Sequence, residues 1–136
     1  IVIESEDSAK RRGANVLAEL KGTGNACDAY HQTASSENGE GAFLAMSKAI
    51  VEADIQVTDI QYVNAHGTGT PNNDACESTA LVRVFENKMQ KVSSTKMYTG
   101  HTTSASGSIE AIYSILSLQH QFVPANIGWS KLTIVV

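Results

Sequence analysis

The stretch "VNAHGTGTPNND", residues 63–74, decides how the rest of the chain is read. A β-prone apolar run that includes Ile60 and Tyr62 stops at His66, which is wrapped in glycines and threonines. Gly67 and Gly69 let a backbone come close to a ligand, Thr68 and Thr70 offer hydroxyls, and Pro71 stiffens the exit. The pattern predicts a strand over 60–63 that empties into a loop. Asn73 or Asp74 would cap the next helix, which runs to about Phe85, with Glu77 as reciprocal partner of Asp74 in a capping box. Taken alone, a loop histidine of this kind more often makes a structural hydrogen bond than does chemistry.

Working outward, strand-like and helix-like segments alternate. Residues 1–3 read as a strand and 5–12 as a short charged helix ending at Gly13. Residues 16–20 read as a second strand, stopped by the glycines of "KGTGN" in a turn. Residues 38–53 predict a helix with two apolar stripes, Ala42, Ala45, Ala49, Ala53 and Phe43, Met46, Ile50. Residues 92–95 are a further strand. A helix over 104–119 is apolar nearly all round its middle (Ile109, Ile112, Ile115, Leu116, Leu118) and is expected to be central. Such alternation predicts an α/β domain spanning 1–136, a parallel or mixed sheet with helices packed on both faces. His31, His66 and His101 recur at equal intervals, each with Thr two places on, but their flanks share too little for a repeat. Each follows a strand-like segment, where open α/β sheets bind ligands.

Composition narrows the classes. The chain has 136 residues, 42% hydrophobic and 18% charged, enough for one core. A net charge of −4 argues against nucleic acid as a partner. The Lys10-Arg11-Arg12 cluster reads as a solvated helix end. Two cysteines without disulfide-type spacing suit a reduced, cytoplasmic setting. No window approaches the ~18 apolar residues of a membrane span. Apolar residues at both ends suggest a chain cut from a longer one.

A second stretch, "SSTKMYTGHTTSASGSIEAI" (93–112), changes the weight given to His66. Lys96 stands at a strand end shortly before His101, and Glu110 follows on the next helix. A lysine beside an imidazole disfavours the charged ring. A carboxylate could neutralise that lysine. An ion pair with no catalytic part fits Lys96 and Glu110 equally well unless the two histidines converge.

"DAYHQTA", "SENGEGA", "YVNAHGTGTPNND", "SSTKMYTGH" and "GSIEAIYSILSL" occur in the order and at the intervals of the β-ketoacyl-acyl-carrier-protein synthases. The chain resembles these condensing enzymes from its start to about Gly128, with DAYH closer to the ketoacyl synthase II branch. The resemblance implies the carboxyl-terminal half of a thiolase-like fold and a role in fatty-acid synthesis. It implies that His66 is the first catalytic histidine, in N-x-H-G-T-x-T, and that Lys96 and His101 match K-x-x-T-G-H. Glu110 matches the family's glutamate. Thr68 and Thr70 fall where threonines line the phosphopantetheine arm, with His31 and Thr33 grouped near them, while Asn64 and Asp74 take structural roles.

The same resemblance implies decarboxylation of a malonyl thioester and attack of the resulting carbanion on an acyl group held by a cysteine. Two neutral imidazoles would donate to the enolate oxygen. The nucleophile belongs upstream; Cys27 and Cys76 read as small buried fillers. The final glycine-rich hairpin of the family is also missing. The parent is expected to homodimerise and to meet an acyl carrier protein, which brings its own phosphopantetheine, so no cofactor or metal is expected. The segment itself should self-associate and should not condense anything. After His101 the family usually reads G-A-A-G, whereas this chain reads Ser104-Ala105-Ser106-Gly107. "WSKLTIVV", past Gly128, follows the family poorly. Two other readings stand beside this one. One is a non-catalytic partner of the chain-length-factor type, against which retention of His66, Lys96 and His101 weighs. The other, a metal site from His31, His66 and His101, lacks short chelate spacing.

Overall fold

The computed structural model describes residues 1–32, 34–86, 88 and 90–127. In chain order the regular elements are α1 (Glu6–Arg11), α2 (Glu40–Glu52), β1 (Tyr62–Asn64), α3 (Pro71–Phe85), β2 (Lys91–Ser93), α4 (Lys96–Thr99) and α5 (Ser106–His120). β1 and β2 are parallel neighbours, Tyr62 against Lys91 and Asn64 against Ser93. Parallel strands cannot be joined by a tight turn, and α3 supplies the crossover. The opening stretch is therefore the first corner of a βαβ unit, and both strands deliver their carboxyl ends to one edge.

The core lies between α2, α3 and this ribbon. Leu81, Val84 and Phe85 are its buried centre, and Phe43, Met46, Ile50, Val57, Ile60, Val63 and Val92 pack against them. One predicted stripe of α2 is thus its core face. Arg83 ties the two helices, with an ion pair to Glu40 at 2.8 Å, a hydrogen bond to the Asn38 carbonyl at 2.8 Å, and its guanidinium 3.9 Å over the Phe43 ring. Gly39, which opens α2 at φ +64°, lies so close to α3 that a Cβ would stand 2.2 Å from the Cys76 carbonyl oxygen.

The alanine stripe of α2 meets a different partner. Gly22 and Gly24, expected in a turn, instead let an extended segment run over it. A Cβ on Gly24 would stand 1.8 Å from the Ala45 carbonyl oxygen, and one on Gly22 2.3 Å from that of Ala49. Thr23 fixes the crossing by donating its backbone N–H and its hydroxyl to the Glu52 carboxylate, at 2.6 and 2.8 Å.

Several expectations are corrected. Residues 1–3 and 16–20 are not strands: Val2 and Leu17 are exposed, and no described strand lies beside them to pair with their backbone. α3 is capped by Thr70, whose hydroxyl accepts from the Asn73 N–H at 3.4 Å, with Pro71 at the first helical position. Neither Asn73 nor Asp74 caps it, and Glu77 is engaged elsewhere. α5 starts at Ser106, after a 3-10 turn over Thr103–Ala105. Within this chain Ser106 and Ser117 are its buried residues, while Ile112, Leu116 and Leu118 are exposed. Cys76 is buried as expected, but Cys27 is exposed. The basic cluster is ion-paired, Lys10 with Glu6 at 2.6 Å and Arg12 with Glu4. The divergent tail beyond Gly128 lies outside the described residues.

Phe85 carries the centre of the core, so Phe85→Ala is expected to cost about 3–5 kcal/mol. Val51→Ala, on the exposed side of α2, should stay within about 0.5 kcal/mol. Urea unfolding followed by circular dichroism distinguishes the two.

Candidate active site

The edge where β1 and β2 end is organised by one amide. The Asn64 Nδ2 donates to the Glu110 backbone carbonyl at 3.1 Å and to the Thr95 hydroxyl at 3.2 Å. Its Oδ1 accepts from the Thr95 N–H at 3.3 Å. Thr95 is fully buried. One side chain therefore links the end of β1, the end of β2 and the second turn of α5.

His66 follows immediately, on a loop held by a carboxylate. Glu77 of α3 accepts from the backbone N–H of His66 at 2.7 Å, from that of Gly67 at 2.8 Å, and from the Asn73 amide at 3.0 Å. Its place one turn into α3 puts it back beneath the loop, which is why it does not serve Asp74. Gly67 is required twice over. Its φ is +49°, and a Cβ would stand 2.4 Å from that of Ser94. Ser94 in turn donates to the Gly67 carbonyl at 3.3 Å.

Lys96 is buried in α4, the single turn that follows β2, and forms an ion pair with Glu110. Its Nζ also lies 3.1 Å from His66 Nδ1. The imidazole beside this lysine is thus that of His66. The His101 Nδ1 is already held by the Thr103 N–H at 3.1 Å and faces the Ser106 hydroxyl at 3.0 Å.

These contacts determine where the ring protons are. An ammonium and a backbone N–H can only donate. Both Nδ1 atoms are therefore acceptors, and both imidazoles carry their proton on Nε2. The two rings stand 5.3 Å apart between centroids, edge to face at 87°. One edge of the fold thus presents two histidines in the same tautomer, with a buried cation behind the first. Such a pair can donate two N–H bonds to one developing negative charge.

The remaining candidates lie around this pair. The hydroxyls of Thr68 and Thr70 are 3.0 Å apart on the loop, and that of Thr70 also serves the helix cap. Asp74 is exposed in the first turn of α3, where its charge favours the positive helix end. His31 is exposed and helps line a cavity of about 420 Å³ with Cys27, Asp28 and Ala42. It does not follow a strand. Asp28 shapes that segment by accepting from the backbone N–H of Ser36 at 2.9 Å and of Tyr30 at 3.1 Å. These bonds, Ser36 foremost, hold its carboxyl below the usual range. Thr33 lies outside the described residues. Glu77, Ser94 and Ser106 were not foreseen as site residues; Glu77 drew notice only as a capping partner, Ser106 only as a departure from the family pattern. Among the described residues no three His, Cys, Asp or Glu side chains are grouped to hold a metal ion. No described helix is long and apolar enough to cross a membrane.

A loop histidine at the end of one strand and a second beyond its neighbour, with a buried lysine behind the first, stand at one edge of a thiolase-like α/β fold. The family described as β-ketoacyl synthase, C-terminal domain, matches residues 17–130, and the chain belongs to it. The 3-oxoacyl-[acyl-carrier-protein] synthase 2 of Vibrio harveyi is 48% identical over 131 residues, which is 94% of this chain and 32% of that protein. The protein of the same description from Staphylococcus aureus (strain COL) is 49% identical over 129 residues, 93% of this chain and 31% of that one. The chain thus spans under a third of the length of these relatives. Among solved structures, the ishigamide ketosynthase/chain length factor superposes with a TM-score of 0.84 at 37% identity, over 89% of this chain and 30% of that one. A β-ketoacyl synthase from Burkholderia phymatum gives a TM-score of 0.79 at 37% identity, over 86% and 28%. A type II polyketide ketosynthase in complex with its acyl-carrier protein gives 0.83 at 34%, over 88% and 30%.

Replacing Glu77 tests the loop. Glu77→Ala leaves two backbone donors without their partner, and a stability loss of about 1–3 kcal/mol is expected. Amide exchange at His66 and Gly67 should accelerate, while that at Val63, within the strand, stays slow.

Proposed function

We infer that the chain is the histidine-bearing carboxyl-terminal part of a 3-oxoacyl-acyl-carrier-protein synthase of fatty-acid synthesis. The observation that carries this reading is the pairing of His66 and His101, 5.3 Å apart with both Nδ1 atoms engaged. In the proposed reaction the bond between the carboxylate and C2 of a malonyl thioester breaks. Carbon dioxide leaves, and the electron pair remains as an enolate with negative charge on the thioester oxygen. The two Nε2–H groups donate to that oxygen. C2 then attacks the carbonyl of an acyl group on a cysteine thioester, and the cysteine leaves as thiolate. The catalytic set is His66, His101, Lys96 and Glu110.

Lys96 has its part through His66. Its Nζ donates to Nδ1, which leaves Nε2 as the ring's donor. Glu110 neutralises the lysine, whose burial would otherwise be unfavourable. Thr68 and Thr70 contact the phosphopantetheine arm that an acyl carrier protein brings, and His31 and Thr33 are assigned to the same arm. Asn64 and Asp74 are structural. The cysteine nucleophile is assigned to the upstream part of the synthase, because Cys76 is buried within α3 and Cys27 stands on the segment lining the His31 cavity. The complete synthase acts as a homodimer in the cytoplasm. A non-catalytic partner of the chain-length-factor type is the second reading, favoured by the likeness to the ishigamide ketosynthase/chain length factor. The Lys96–His66 contact supports the catalytic one.

In the complete synthase, His66→Ala and His101→Ala should each lower kcat for malonyl-thioester decarboxylation by about 10²–10³. The 136-residue chain alone should yield no ketoacyl product from acyl- and malonyl-acyl-carrier protein. Wild-type rates in both histidine variants, or product from the chain alone, would overturn the assignment.

A further inference from the structure

Position 106 is where the related pattern has alanine and this chain has serine. Ser106 is buried. Its Oγ lies 3.0 Å from His101 Nδ1 and 3.4 Å from the Thr102 hydroxyl. The other group on that nitrogen, the Thr103 N–H, is exposed and is aimed by a backbone φ of +51°. That conformation is disfavoured for a β-branched residue. His101 is thus held at one nitrogen by two groups of different character. One is a solvent-facing amide on a strained turn. The other is a buried hydroxyl on the first residue of a 15-residue helix.

The hydroxyl's direction follows from its neighbours. Nδ1 already accepts from Thr103 and so carries no proton to give, and a hydroxyl 3.0 Å away meets it favourably only by donating. The Thr102 hydroxyl can donate to Ser106 Oγ and leave the serine proton for the ring. We propose that Ser106 is a positioning residue for His101. Its O–H shares the Nδ1 lone pair with the Thr103 N–H, fixes the ring's orientation and keeps the ring proton on Nε2. With alanine there, both tasks fall to the Thr103 amide alone, and the ring gains freedom to turn and to exchange tautomer. The inference rests on the reading of His101 as a donor to the thioester oxygen.

The test uses the complete synthase labelled with ¹⁵N at histidine, with the His101 signals assigned by their loss in His101→Asn. In the wild type, long-range ¹H–¹⁵N correlations should show Nδ1 unprotonated and Nε2 protonated. In Ser106→Ala the Nδ1 signal should move toward the average of the two tautomers while the His66 signals stay in place. kcat for decarboxylation should fall about three- to tenfold with KM for malonyl-acyl-carrier protein unchanged. Ser106→Cys, of similar size with a weaker donor, should show a smaller shift and a smaller loss. It carries the test if the alanine variant fails to fold. An unchanged Nδ1 signal in the substituted protein, or an unchanged kcat, overturns the proposal. A wild-type synthase without decarboxylase activity would instead overturn the functional reading and leave the spectrum as an independent measure of the Ser106 contact.

Discussion

Everything at this edge depends on the half-buried amide of Asn64. A carboxamide can donate and accept at once, and here it does both, joining the two paired strand ends to a helix that pairs with neither. The end of β1 is locked to Thr95 past the end of β2, and both are locked to the Glu110 carbonyl in α5. Because the donor–acceptor pattern is satisfied on each side, the amide works as a fixed joint. An aspartate could not donate to the Glu110 carbonyl, and a leucine would leave the buried Thr95 hydroxyl and N–H short of a partner. The positions of His66, Lys96 and Glu110 all follow from this joint, close beyond its two strand ends or on the helix it holds.

Around the joint, polarity and packing have changed places relative to a simple layered fold. The most buried residues of α5 are the serines Ser106 and Ser117, with Glu110 half-buried between them, while Ile112, Leu116 and Leu118 face outward. α2 does the reverse, with phenylalanine, methionine and isoleucine on the core. The buried charge of Lys96 accounts for the glutamate of α5. A cation excluded from water needs a counter-ion and hydrogen bonds within reach, so the helix passing over it must present polar groups. α5 is the wall of a site, while α2 is the wall of a core.

This distinction marks how far the sequence could be read. The βαβ unit was legible because the strand, the glycine loop and the helix each have a local signal, and because motif order named the family. The stripe Phe43, Met46 and Ile50 was legible by spacing alone. The orientation of α5 was not, because apolar residues all round a helix do not say which side the chain covers. The cap of α3 was misplaced for a similar reason. Thr70, Asn73 and Asp74 are all competent caps, and the choice was made by Glu77, which turned to the His66 and Gly67 amides across the loop. Which histidine Lys96 would meet depended on Ser106 and Thr103 filling the other one's Nδ1, a contact that sequence spacing does not encode. The strands expected at 1–3 and 16–20 were read from composition, and composition does not supply a neighbour.

The crossover through α3 also has a consequence in time. Tyr62 and Lys91 become neighbours in space only when the helix between them has folded back, so their pairing is a non-local closure. His66 lies beyond the first of these strands and His101 beyond the second. During synthesis the first histidine emerges with its loop and its clamp, Glu77, close by in sequence, whereas its lysine and its partner ring must wait for β2 to dock. The two-ring arrangement is therefore a late product of folding, and it coincides with the arrival of Lys96 in its buried place. A nascent chain with half of this edge has an ordinary surface histidine without its partner ring.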